Sequence, residues 1–222
     1  MNFEAIAHDL KTPLTAVLGS ARLIATEDLS PDARRLLAVI EAQVERMALL
    51  IDSYLVDPTG LDAITDESAG EILLEVTREI EPLVQRAGVI ISVAIDDGVP
   101  RCRCARLALH RAILNVIKNA IDATPGSGTI ACRVRGGTAH DVSIHIADSG
   151  IGMAENVLAR AFEPGFTTKA RHNGHGLGLA ICKELLGRQG GSIAISSRPG
   201  HGTRVVMTLP AVTPASDSSG SH

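Results

Sequence analysis

Apolar positions near the N-terminus recur at helical spacing. Ile6, Leu10, Val17 and Ile24 mark one face between about Phe3 and Thr26, and Leu14 and Leu18 widen it. The pattern stops in the polar stretch EDLSPD. Ser30 followed by Pro31 is a cap and first-turn signal for a second helix, which runs to about Leu55. Along it Leu37, Ile40, Val44, Met47, Ile51 and Tyr54 alternate as a heptad seam. Two long helices joined by a short loop predict an antiparallel hairpin. A hairpin with two apolar stripes cannot bury both alone, so the pattern predicts a homodimer that closes a four-helix bundle. The alternative is that the hairpin packs on the rest of its own chain.

VDPTGLD then reads as a linker around Asp57 to Gly60, and beyond it the pattern alternates. SAGEILLEVTREIEPLVQRAG predicts one helix and VIISVAI a strand. ARLALHRAILNVIKNAIDAT predicts a helix that ends before Pro125 and Gly126. GTIACRVRG and DVSIHIAD predict two strands joined by a turn at Gly136 and Gly137. GLGLAICKELLGRQ predicts a helix, and GSIAISS and TRVVMTLP the last strands. This order predicts an α+β chain, in which a helical hairpin precedes an α/β sandwich with helices on one face of a mixed sheet. The expected domains are 1–57, 58–211 and a disordered tail at 212–222, where TPASDSSGSH is small and polar.

Composition narrows the picture in a few places. With 2% aromatic residues and no Trp, the core must be built from Leu, Ile, Val and Ala. A net charge of -4 speaks against a nucleic-acid binder. No apolar run approaches the roughly 18–20 residues of a membrane span, and no signal peptide is visible. The four cysteines, Cys102, Cys104, Cys132 and Cys182, lack CxxC spacing and read as reduced thiols. A cytoplasmic location is the expectation, either for a short complete chain or for the cytosolic part of a larger protein.

Chemistry-bearing residues interrupt these apolar patterns. In DSGIG, Asp148 to Gly152, an acidic side chain can accept a hydrogen bond from an exocyclic amine, and the glycines let a flat ring approach the backbone. A simple strand-ending turn has the same letters. In NGHGLGLAI, Gly174, Gly176 and Gly178 lead into a helix whose free N–H groups suit phosphate. No Gly-Lys-Ser/Thr follows, so it is not a P-loop. Lys169 and Arg171 in the preceding TTKARHNG could reach phosphates from a lid, or lie on a solvated loop. In NVIKNAIDA, Asn115 and Asn119 share a helix face among apolar neighbours. Amide oxygens there suit Mg²⁺, although Asn in such a place also serves as a satisfied core residue. At the N-terminus, His8, Asp9 and Thr12 sit in the first helix just before Pro13. That proline has no N–H to donate to the Asp9 carbonyl and is expected to bend the reactive turn.

Taken in order, these segments resemble the catalytic core of a sensor histidine kinase of two-component signalling. HDLKTPLT resembles the phosphoacceptor box, NVIKNAIDA the asparagine box, DSGIG and GHGLGLAI the two glycine boxes, FEPGFTTK the phenylalanine box, and GHGTRVVMTLP the terminal strand element. The second domain resembles the wider ATPase superfamily of gyrase, the mismatch-repair ATPases and a heat-shock chaperone. Cys104 departs from an Asp common before the asparagine box. Asp122 and Ala123 replace a basic residue and an aromatic, and Gly165 replaces a Phe.

The resemblance implies an ATP-dependent protein-histidine kinase with Mg²⁺. His8 would be the phosphoacceptor, with Asp9 as its base and Thr12 as the residue that orients a dephosphorylating water. Asn119 would hold the metal, with Asn115 beside it. Asp148 would read the adenine amine with support from Thr203, and Gly150 and Gly152 would admit the base. Gly176, Leu177 and Gly178 would offer N–H groups to phosphates, and Phe162 and Phe166 would seat the lid. The implied partner is the receiver domain of a response regulator. Two alternatives remain: a phosphotransfer scaffold with a non-catalytic nucleotide domain, or an ATPase of the same superfamily. Asn115 argues against the latter, because those enzymes place a catalytic glutamate there.

Overall fold

The computed structural model describes residues 13–14, 16–21, 24–25, 29–56, 63–137, 140–168, 176 and 178–212; in the first long helix the side chains at 42, 45–46 and 48–56 are excepted. His8, Asp9, Thr12, Lys169, Gly174 and Leu177 lie outside the described residues. The chain divides into two compact units, Met1–Asp62 with Glu163–Leu177, and Ala63–Phe162 with Gly178–His222.

In the first unit, Pro13, Leu14 and residues 16–21 are helical, and α1 spans Pro31–Val56. Ser30 caps α1 as its sequence predicts, its Oγ accepting from Ala33 N at 3.2 Å. The seam is unevenly covered within one chain. Val44 is 5% exposed, but Ile40 is 47% and Met47 46% exposed.

The second unit contains β1 (Ile64–Glu67), α2 (Ala69–Glu79), α3 (Glu81–Ala87), β2 (Ile90–Ile95), β3 (Cys102–Ala105), α4 (Arg106–Ala123), β4 (Thr129–Gly136), β5 (Asp141–Asp148), α5 (Glu155–Leu158), α6 (Gly178–Gly187), β6 (Ser192–Ser197) and β7 (Thr203–Pro210). Five strands form one sheet in the order β2-β4-β5-β7-β6. β2 runs parallel to β4, and the other pairs are antiparallel. β1 and β3 pair separately as a two-stranded antiparallel sheet.

Period-two alternation places Ile130, Cys132 and Val134 of β4, Val142, Ile144 and Ile146 of β5, and Val205, Met207 and Leu209 of β7 in the core. They meet Leu109, Ile113, Val116 and Ile117 of α4, which packs between α2 and α6. Two polar side chains pin the ends of α4. Buried Gln189 accepts from Ala105 N through Oε1 at 2.7 Å and donates Nε2 to Leu185 O at 2.7 Å, joining the start of α4 to the end of α6. Thr124 donates its hydroxyl to Ala120 O at 2.7 Å.

Three details depart from the sequence reading, the first being the short helix α5, in a stretch for which the pattern predicted no element. The helix expected from Ser68 to Gly88 is two helices, because Ile80 leaves helical geometry and Pro82 falls in the first turn of α3. The strands β1 and β3 were not legible, since CRCA and ITDE are too short and mixed to show a period. All four cysteines are buried and none is joined in a disulfide, in keeping with reduced thiols.

Ile117 is fully buried where α4 meets the sheet. Ile117→Ala is expected to destabilise the second unit by about 2–5 kcal/mol. Thermal or urea unfolding followed by circular dichroism checks this.

Candidate functional site

The C-terminal end of β5 supplies a constrained acidic group. Asp148 ends the strand, and its Oδ1 accepts from Gly150 N at 2.9 Å and from Thr203 N at 3.1 Å. One oxygen therefore ties the DSGIG turn to the first residue of β7. Oδ2 is left to face another donor. Burial raises the Asp148 carboxyl above the ordinary carboxylate range, and the N–H groups of Gly150 and Thr203 act against that rise.

The glycines of this turn are required by the chain's own backbone. A side chain at Gly150 would fall on the carbonyl of Ala123, whose oxygen accepts from Ile151 N at 2.9 Å. Gly152 has φ +66°, and a Cβ there would strike Arg198 O. Gly202 has φ +74°, and a Cβ there would strike Asp148 O. The turn thus lies against both the end of α4 and the β6–β7 connection.

Sequence reasoning missed Ser197, which completes this clasp. Its hydroxyl oxygen accepts from Met153 N at 2.8 Å and lies 2.8 Å from Gly202 O, to which it donates. It is also 3.0 Å from Thr203 Oγ1. One hydroxyl therefore fixes where the Thr203 side chain points. An isolated Ser at a strand end carries no signal of this in the sequence.

The helix α4 links this clasp to the second set of candidates. Asn119 sits one turn before Ala123, and its Nδ2 lies 3.6 Å from where a Cβ on Gly178 would be, at the start of α6. Asn115 sits one turn earlier; on α6 the buried Cys182 thiol donates to Ala112 O of α4 at 3.5 Å, and burial pushes that thiol up to about 12. Phe162 packs its ring 5.6 Å from Lys183 Nζ, also on α6. The unit thus brings together Asp148, Gly150, Gly152 and Thr203 at one end of α4, and Asn119, Asn115 and Gly178 along its length. Phe166 and Gly176 belong to the other unit. There Gly165 N donates to Gly176 O at 3.0 Å, and a side chain at Gly176, with φ +65°, would meet Gly165 and Phe166 backbone.

A mixed sheet under helices, with a half-buried carboxylate at a strand end and glycine turns around it, defines a nucleotide-binding α/β sandwich class. Residues 104–213 match the family "Histidine kinase-, DNA gyrase B-, and HSP90-like ATPase". Residues 3–56 match "His Kinase A (phospho-acceptor) domain". The chain belongs to the sensor histidine kinases and carries their catalytic core, a phosphoacceptor domain followed by the ATP-binding domain.

Sporulation kinase E of Bacillus subtilis is 29% identical over 206 residues, which is 92% of this chain and 28% of that protein. Sensor histidine kinase RcsC of Escherichia coli is 29% identical over 220 residues, 95% of this chain and 23% of that protein. The chain therefore spans only about a quarter of the length of these two relatives. Among solved structures, full-length ShkA in complex with AMPPNP superposes with a TM-score of 0.66 at 25% identity, over 96% of this chain and 46% of that one. The catalytic domain of histidine kinase ThkA gives 0.60 at 26% identity, over 67% of this chain and 95% of that one. Among the described residues, no helix is long and apolar enough to cross a membrane.

Asp148→Asn separates the two oxygens of the clasp. The amide oxygen can still accept from Gly150 and Thr203, but the NH₂ cannot accept from an amine. A carboxyl raised by burial contributes full stability below its ordinary pKa and loses it as pH rises through the folded value. At neutral pH the amide removes that loss, so the variant is expected to melt no lower than the wild type. Its ATP affinity is expected to fall by about tenfold to a hundredfold. Calorimetric titration and thermal melts read the two effects separately.

Proposed function

We propose that the chain binds Mg²⁺·ATP in its second unit, transfers the γ-phosphoryl group to His8, and passes it to an aspartate of a response-regulator receiver domain. The observation that carries the nucleotide half is the Asp148 clasp, which presents one carboxylate oxygen beside glycine turns on a rigid sheet end. Asp148 accepts from the adenine amine, and the Thr203 hydroxyl, held by Ser197, supports it. The likeness to ShkA, solved with AMPPNP, supports the same reading.

Asn119 would hold Mg²⁺ through its amide oxygen, and its place on α4 beside the start of α6 fits a hard ion between protein and phosphates. The ion neutralises triphosphate charge when bound. The chain's own part is to orient: Gly176, Leu177 and Gly178 offer N–H groups to phosphates, Lys169 adds charge, Gly174 eases the turn before them, and Phe162 and Phe166 seat the lid. Phosphoryl transfer depends mainly on such positioning. His8 is the nucleophile, because a neutral imidazole is available near physiological pH. Asp9 fixes its tautomer and takes the proton. Thr12, one turn on, orients the water that removes phosphate from the receiver. The domain boundaries proposed are 1–57 for the phosphoacceptor hairpin, 58–211 for the ATP-binding domain and 212–222 for the tail, with the linker near Asp57 serving as the hinge. A cytosolic setting, where ATP is abundant, suits this reading.

The chain is expected to act as a homodimer. Ile40 and Met47 stand about half exposed on α1 beside buried Val44, a seam that a second hairpin would cover. Ile40→Asp is expected to shift the sedimentation mass from dimer to monomer. An unchanged dimer would remove the seam from the interface.

Incubation with γ-labelled ATP and Mg²⁺ tests the transfer. The expected label is acid-labile and base-stable, is absent in His8→Ala, and is lost in Asn119→Ala while the dimer persists. A label that survives His8→Ala overturns the assignment. Thr12→Ala is expected to retain the label but slow phosphate loss from the receiver.

A further inference from the structure

Among the described residues no helix packs on the second face of the five-stranded sheet, and arginines outnumber carboxylates there in a chain of net charge -4. The strand register gathers the charge around β5. Arg133 on β4 stands directly beside His145 on β5, which stands beside Val206 on β7. Arg135 stands beside Ser143, and Arg204 lies between Ala147 and Ser196. The guanidinium groups of Arg133 and Arg204 thus flank β5 from two strands, a lateral spread of about 10 Å.

Asp96 meets this cluster at one edge, 2.7 Å from Arg133 Nε and 3.6 Å from Arg135 Nε. Asp141 lies at the far end of β5, where it packs against Gly137. Arg204 has no carboxylate among its register neighbours. The imidazole of His145, 3.0 Å from Ser143 Oγ, sits amid the three arginines. Burial and then the charges of Arg135, Arg204 and Arg133 hold it below the ordinary histidine range, against the opposing pull of Asp96. The local potential is therefore positive at the centre of the face.

The side chains nearest the arginines are mostly short, with Val206 and Thr208 of β7 and the exposed Ile90 of β2 the larger ones on the same face. Ala131, Ala147, Ala194, Ser143 and Ser196 share this surface, so another chain can approach the backbone between the arginines. Flat nucleic-acid bases would require aromatic platforms, and this face has none. Carboxylates fit the guanidinium forks directly.

We propose that this sheet face is a docking surface for an acidic protein segment, whose carboxylates are taken by Arg133, Arg135 and Arg204 on either side of β5. It lies on the sheet face opposite the helices that form the nucleotide site, and it is independent of the phosphotransfer reading. Its occupant draws near with charge complementarity and in turn favours a protonated His145, so binding tightens as the pH falls through the imidazole's range.

Fluorescence anisotropy of a labelled oligoglutamate peptide with the whole chain tests this at low salt. Saturable binding that weakens with added salt is expected, and Arg204→Glu is expected to weaken it by about tenfold or more. ATP affinity and thermal melting report that the variant remains folded, and Arg204→Gln provides a milder second variant with an intermediate loss. Equal affinity of wild type and both variants overturns the proposal. So does absence of saturable binding to the wild type, or tighter binding of an oligothymidylate than of oligoglutamate.

Discussion

One carboxylate oxygen orders the functional end of the second unit. Asp148 Oδ1 accepts from the turn that follows its own strand and from the first residue of β7. This shared acceptor fixes the distance between two segments that are far apart in sequence. The other oxygen, relieved of structural work, can face a ligand. The cost is a partly buried carboxylate, and the glycines at 150, 152 and 202 are what let backbone come close enough to make the arrangement possible.

The same constraint makes α4 both a core element and the floor of the site. Its apolar side packs on the sheet, Gln189 and Thr124 hold its two ends, and Ala123 O receives the N–H of Ile151. Asn119 is therefore presented on a helix that cannot slide without breaking the sheet contacts. Phosphoryl transfer is sensitive to small misplacements, so the amide proposed to hold Mg²⁺ is well placed on such an element.

Cysteine use follows from the same packing. Cys102 and Cys104 project from one side of β3, with their sulfurs 3.6 Å apart and both fully buried. A carboxylate at position 104 would need a charged or strongly hydrogen-bonding partner in this environment. A thiol needs only a weak one, which Cys102 supplies. Burial alone pushes Cys132 and Cys182 up to about 12, so these thiols serve as small apolar groups and not as nucleophiles.

Local pattern was enough to read the long helices and the five strands of the main sheet, the cap at Ser30 and the class of the fold, because periodicity and turn residues are properties of neighbours in the chain. It did not reveal β1 and β3, whose pairing joins residues almost forty positions apart, nor the break at Ile80, which depends on where Pro82 falls. Asp148 was legible as a candidate, but Ser197 was not. A lone hydroxyl gains meaning only when β6, the DSGIG turn and the β6–β7 connection converge on it. The charged sheet face has the same origin: Arg133, His145 and Arg204 are unremarkable along the sequence and become neighbours through strand register. Spacing along the chain determined which elements form, and tertiary packing decided which side chains meet, since hydrogen bonds and charges act through space.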